Sequence, residues 1–146
     1  MTDTTSTHTT RTTRTPVDTV EGIYAAFGRG DIAGLKELRD PEVDWGIDVD
    51  APGAELVPML RHGRGHAAVD RYFAGVAELE FHGFDVVALH SAGETVLVEM
   101  RMDMTHRGTG KRAQLDEIHH WVVRDGRVVR YRPFLDTATM IEIHRA

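Results

Sequence analysis

The stretch from about residue 80 to Leu135 leaves this chain the fewest choices of fold. Three turn signals divide it: Ala92-Gly93, Gly108-Thr109-Gly110 and Asp125-Gly126. Between them lie segments in which apolar and polar residues alternate. Glycine-centred turns this short join neighbouring strands only in antiparallel fashion. The stretch therefore reads as an antiparallel meander of four β-segments.

Upstream the apolar period lengthens to that of a helix. Thr15 can cap, Pro16 suits a first helical turn and Asp18 favours the positive helix end. Val20, Ile23, Tyr24 and Phe27 then form one stripe, and Gly28 and Gly30 end it. Asp31 caps a shorter helix carrying Ile32, Leu35 and Leu38 inward. Asp40-Pro41 breaks that helix and leads into a strand with Val43, Trp45 and Ile47 on one face. Residues 49 to 63 read as a loop. A third helix buries Val69, Tyr72, Phe73, Val76 and Leu79, and a short last helix carries Met140 and Ile141. Helices, one strand, a helix and then a meander make an α+β domain, a curved antiparallel sheet packed against three to four helices.

At 146 residues, residues 15–146 are expected to be one domain with a core of its own. Residues 1–14 are threonine-rich and aperiodic, and read as a disordered tail rather than a secretory signal. The net charge of −6 and the lack of any Lys/Arg run argue against a nucleic-acid partner. No apolar run reaches the roughly 20 residues of a membrane span. The absence of cysteine excludes disulfides, thiolate metal sites and a cysteine nucleophile, and fits a cytoplasmic location.

Function turns on which side chains face inward. With a three-residue loop at Arg124-Asp125-Gly126, Trp121 pairs with Val129, and Glu117, His119, Trp121 and Tyr131 share one largely apolar inner face. A two-residue loop would instead set Trp121 among Arg130 and Arg132. The preceding strand has two contrasting faces. Val96, Val98, Met100, Met102 and Met104 form one; Glu99, Arg101 and Asp103 form the other. Alternation alone favours the Val/Met face as core. The opposite arrangement would put the charges in a pocket and the Val/Met stripe against a partner subunit.

Several marks, in their order and spacing, bear on that choice. They are Gly30-Asp31, the Trp45 strand, Gly63-Arg64-Gly65-His66, Arg107-Gly108-Thr109-Gly110-Lys111, Arg124-Asp125-Gly126-Arg127-Val128 and Phe134-Leu135-Asp136. In them residues 16 to 143 resemble the nuclear transport factor 2-like superfamily, which includes ketosteroid isomerases, SnoaL-like polyketide cyclases and limonene epoxide hydrolases. The resemblance implies a cone-shaped fold enclosing an apolar pocket, and a homodimer formed through the outer sheet face. It also implies that Arg101 and Asp103 look into the pocket. Arg101-Met102-Asp103 resembles the Arg-x-Asp of limonene epoxide hydrolases, where the aspartate acts as general acid. The second aspartate of those enzymes falls on Pro133. Ketosteroid isomerase positions fall on Ile47 (base), Ile23 (oxyanion tyrosine) and His119 (oxyanion aspartate).

The expected catalytic set is therefore Asp103 and Arg101, as proton-transfer residue and electrostatic partner, opposed by Glu117 and His119. Tyr24, Trp45, Phe73, Glu99, Trp121, Tyr131 and Leu135 are the expected substrate-binding residues. No metal or cofactor is expected. His119 and His120 are adjacent on a strand and so point to opposite faces. Asp136 reads as a helix cap, and the two Gly-x-Gly segments lack the strand–turn–helix context of a nucleotide site. The expected activity is acid–base chemistry on a hydrophobic small molecule, by an isomerase, cyclase or epoxide-hydrolase type of reaction. The alternative is a non-catalytic binding or dimerisation module of the same fold.

Overall fold

The computed structural model describes residues 14–146; the threonine-rich segment before them lies outside the described residues. Helix α1 (Pro16–Gly28) begins with a capping box, in which the Asp18 amide donates to Thr15 Oγ1 and the Thr15 amide donates to the Asp18 carboxylate. Helix α2 (Ile32–Glu37) is capped by Asp31. Strand β1 (Arg39–Trp45) follows, then two single-turn 3₁₀ helices, Ala54–Leu56 and Pro58–Leu60. The short β2 (Gly63–Arg64) leads into α3 (Gly65–Ala77). The meander comprises β3 (Leu79–Ala92), β4 (Thr95–His106), β5 (Arg112–Arg124) and β6 (Arg127–Phe134). Helix α4 (Thr137–His144) closes the described chain, with Asp136 as its cap: the carboxylate accepts from the Thr139 amide and hydroxyl.

The six strands form one open sheet in the order β2-β1-β6-β5-β4-β3. It is mixed rather than wholly antiparallel, because β1 runs parallel to β6. Strand β1 also starts earlier than its apolar alternation suggests and runs through Pro41. The β1–β6 register is irregular between Arg39 and Asp44, so the amide that Pro41 lacks is not needed for the ladder. Gly46 ends the strand at φ 92°.

The last hairpin resolves the choice of loop in an unforeseen way. The turn has two residues, Asp125 (φ 52°) and Gly126 (φ 76°), both left-handed, and Arg124 pairs with Arg127. Yet Trp121 faces Tyr131 rather than Arg130, because Val123 pairs with Val128 and Val122 with Arg130. Val129 is the extra residue of a β-bulge, which restores the apolar inner face that the short turn alone would have lost. His119 then lies opposite Pro133.

Strand β4 contradicts the expectation drawn from the resemblance. Val96, Val98, Met100, Met102 and Met104 are buried in the core, and Glu99, Arg101 and Asp103 lie on the outer face. The strand registers explain why. Met100 pairs with Glu117 and Met102 with Leu115 on β5, while Met104 pairs with Phe81 and Met102 with Phe84 on β3. Phe81 and Phe84 are three apart yet share the inner face, because a bulge at His82 resets the alternation. Turning β4 over would expose this whole apolar seam.

The outer face carries cross-strand ion pairs. Arg101 Nε donates to Asp116 at 3.3 Å, Arg112 donates to both Asp103 oxygens at 2.7 and 2.8 Å, and His90 bonds Glu99 at 3.1 Å. Thus the Val/Met stripe on which the dimer expectation rested is core. The outer face instead exposes Leu97, Ile118 and Phe134 among these charges.

Two glycines test the backbone account. A Cβ at Gly46 would meet the Arg61 carbonyl oxygen at 2.3 Å, on a residue already at positive φ, whereas Gly28 ends a helix with open space around it. Gly46→Ala is expected to destabilise by about 2–4 kcal/mol and Gly28→Ala to stabilise by about 0.5–1 kcal/mol in urea unfolding. A Gly46→Ala protein as stable as its parent would contradict this backbone path.

Candidate active site

Between the inner sheet face and helices α1, α3 and α4 lies a cavity of about 60 Å³. Its wall is overwhelmingly apolar and aromatic. Tyr24 and Phe27 come from α1, Tyr72 and Phe73 from α3, and Met140 from α4. Trp45, Trp121 and Tyr131 pack ring to ring on the sheet side, with centroids 4.3 to 5.9 Å apart. Into this wall β5 sets two titratable groups, Glu117 and His119, which are 6% and 4% exposed.

A chain of hydrogen bonds fixes the state of His119. Trp121 Nε1 can only donate, and it donates to the Tyr24 hydroxyl oxygen at 3.0 Å. Among the described residues the Tyr24 proton then has one recipient, His119 Nδ1, at 2.6 Å. A neutral imidazole that accepts at Nδ1 carries its proton at Nε2. That Nε2 is buried and has no partner among the described residues. Burial pulls the imidazole down to about 3, so His119 is neutral across the physiological range. It is a fixed hydrogen-bond donor rather than a proton carrier.

Glu117 is the complementary group. Burial alone pushes its carboxyl up to about 7, with no hydrogen bond or cation among the described residues to oppose the shift. Two more hydroxyls stand by: Tyr72 and Tyr131 bond each other at 2.7 Å, and burial raises both. The site therefore pairs a carboxyl that titrates near neutrality with a fixed N–H donor, inside aromatic walls. Such an arrangement can move a proton and stabilise charge on an oxygen.

Of the residues expected from sequence, Glu117, His119, Tyr24, Trp45, Phe73, Trp121, Tyr131 and Leu135 line this cavity. Arg101, Asp103 and Glu99 do not, since they lie across the sheet from it. The hydrogen bonds of Arg112 hold the Asp103 carboxyl down at about 2, as befits a surface ion-pair member. Nor do Asp103 and Arg101 neighbour Glu117 and His119: Asp103 pairs with Gln114 and Arg101 with Asp116. Tyr72, a core residue by its helical spacing, also brings a hydroxyl to the cavity, which the spacing does not reveal. The only signal was that a tyrosine, rather than a phenylalanine, stands in that helical stripe. His119 and His120 do point to opposite faces, with His120 stacked on Phe134 on the outer side.

Residues 20–131 match the model of the SnoaL-like domain. The chain belongs to that family. Solved structures of nuclear transport factor 2-like proteins agree. One from Burkholderia thailandensis is 30% identical, with a TM-score of 0.73 over 91% of this chain and 99% of that one. One from Burkholderia pseudomallei is 27% identical, with a TM-score of 0.74 over 90% and 98%. TerC, co-crystallised with polyporic acid, is 24% identical, with a TM-score of 0.73 over 90% and 98%, and shares the fold. No curated protein matches the chain in sequence. Among the described residues of this SnoaL-like domain, no helix is long and apolar enough to cross a membrane.

Burial of Glu117 has a measurable consequence for stability. Its folded pKa of about 7 lies above the ordinary 4.5, so the native state keeps a proton that the unfolded chain releases between those values. The associated stability is complete below about pH 4.5 and is lost as pH rises through about 7. Glu117→Gln keeps the shape and removes the charge. It is expected to exceed the parent in stability at pH 8 by up to about 3 kcal/mol, with the gap closing towards pH 4. Denaturant unfolding at the two pH values measures this. A variant less stable than the parent at pH 8 would refute the burial of an unpaired carboxyl.

Proposed function

We propose that this SnoaL-like domain is a small-molecule enzyme that transfers a proton on a hydrophobic substrate, in an isomerisation or cyclisation. The observation that carries the reading is the unpaired, buried Glu117 carboxyl, held at about 7, beside the fixed Nε2–H of His119. Glu117 as carboxylate removes a proton from carbon next to a substrate carbonyl. The electron pair moves onto the carbonyl oxygen, which accepts a hydrogen bond from His119. Glu117 then returns the proton at another atom, and its own charge is restored. A pKa close to the working pH suits a group that must both take and give a proton.

The aromatic wall supports a flat, apolar substrate, and the co-crystal of TerC with polyporic acid provides an organic ligand on the same fold. A cavity of about 60 Å³ holds no more than a few waters, so the wall must open to admit such a molecule. The second reading, a binding module that holds a ligand without altering it, is supported by Pro133 and Ile47, which stand where the resemblance places catalytic residues.

Exchange of substrate carbon-bound hydrogen in D₂O, followed by proton NMR over a panel of aromatic ketones, separates the two readings. The parent is expected to exchange a proton next to the carbonyl, with a rate that rises through about pH 7. Glu117→Gln is expected to lose about 10²–10⁴-fold of that rate while still binding. Asp103→Asn, across the sheet, is expected to leave it unchanged. Equal exchange in the parent and Glu117→Gln would rule out the enzymatic reading.

A further inference from the structure

At the far end of the sheet from the Asp125-Gly126 turn, three elements bring together side chains that the proton-transfer reading does not use. Glu78 follows α3, His106 ends β4, and His144 is the last residue of α4. One ligand atom from each lies within 4.8 Å of the other two. We propose that Glu78, His106 and His144 form a binding site for a divalent transition-metal ion of the Zn²⁺ class, one that fastens α4 to the sheet.

The donor set supports that class of ion. Two imidazole nitrogens and a carboxylate suit Zn²⁺, Co²⁺ or Ni²⁺, whereas Mg²⁺ and Ca²⁺ require mostly oxygens. A tetrahedral ion with bonds of roughly 2.0–2.1 Å holds its ligands about 3.3 Å apart. His106 Nε2 and Glu78 Oε2 already lie at 3.6 Å, and the two imidazole rings have centroids 4.4 Å apart. Only a modest closure is needed, and a fourth position is left for water.

His144 is the member set most firmly for this task. It is 7% exposed, and its Nδ1–H donates to the Met140 carbonyl at 2.7 Å. That bond leaves the lone pair on Nε2, which is buried and has no partner among the described residues. A histidine whose other ring nitrogen is bonded to a backbone carbonyl is the usual outer support of a metal ligand. A bare acceptor in a buried position otherwise only costs stability.

His106 must change one bond to join it. The Thr109 amide donates to His106 Nδ1 at 3.2 Å, which favours the proton on Nε2. Coordination through Nε2 moves that proton to Nδ1 and displaces the Thr109 amide. The amide lies between exposed Gly108 and Gly110, where water replaces the lost bond. The rest of the turn is held to α4 independently, by Thr109 Oγ1 donating to the Ile143 carbonyl at 2.6 Å and by Lys111 on Glu142 at 3.0 Å. A metal here would lock the helix whose Met140 closes the cavity.

The test uses the full chain, tag-free and stripped with EDTA, titrated with ZnCl₂ by calorimetry. One Zn²⁺ per chain is expected, with a melting temperature raised by about 5–10 °C at saturation. The Thr109 amide resonance is expected to shift as its bond to His106 breaks. His106→Gln and the exposed Glu78→Gln should each weaken binding at least about 10-fold. His144→Gln should do the same, and if it fails to fold the other two variants decide. His82→Gln and His90→Gln, both on exposed positions, should bind as the parent does. Absence of binding overturns the site. So does binding that survives His106→Gln and Glu78→Gln, or an unmoved Thr109 amide at saturation.

Discussion

Val129 is unpaired in the β5–β6 ladder, and the composition of the cavity depends on it. A two-residue turn at Asp125-Gly126 matches the twist of the strands, but carried through regular pairing it would set Trp121 against Arg130. One extra residue shifts the register so that Tyr131, rather than Arg130, meets Trp121 on the inner face, which Glu117 and His119 share through their pairing with Met100 and Val98. The aromatic wall beside these titratable groups is thus a consequence of the bulge. Drawing Val129 into regular pairing, without the bulge, would trade that apolar face for Arg130 and Arg132, which no core of this size tolerates.

The interior that results is electrostatically one-sided. His119 is held neutral by burial, its tautomer set by Trp121 and Tyr24, and so contributes a directed N–H without a charge. Glu117 has no such partner among the described residues, and desolvation sets its affinity for a proton. The ion pairs Arg101–Asp116 and Asp103–Arg112 sit across the sheet, where they organise the outer surface. Burial, rather than the number of charged residues, separates the group suited to chemistry from those that are not.

What the sequence made legible follows from the range of the interactions involved. Caps at Thr15, Asp31 and Asp136 and the three glycine turns are local, and each element they bound is present. The inner placement of Glu117, His119 and Trp121 was also legible. An error of two residues in the hairpin register preserves the face, since side chains alternate with period two. The orientation of β4 was not. Alternation separates Met100, Met102 and Met104 from Arg101 and Asp103 but does not say which set is inside. That depends on Phe81, Phe84 and Leu115, residues that approach only in the folded sheet. The resemblance to epoxide hydrolases in Arg101-Met102-Asp103 pointed the wrong way because a three-residue likeness carries no face assignment. The course of β1 through Pro41, and the Glu78–His106–His144 cluster, likewise depend on contacts distant in sequence.

The central claim is that Glu117 is a buried, unpaired carboxyl that titrates near neutral pH. Its side-chain carboxyl carbon, assigned by comparison with Glu117→Gln and followed by ¹³C NMR from pH 3 to 9, reports this directly. The account predicts a midpoint at about 7, well above the ordinary 4.5. A midpoint between 4 and 5 would mean that Glu117 meets water or a cation, and would contradict both the cavity and the chemistry assigned to it.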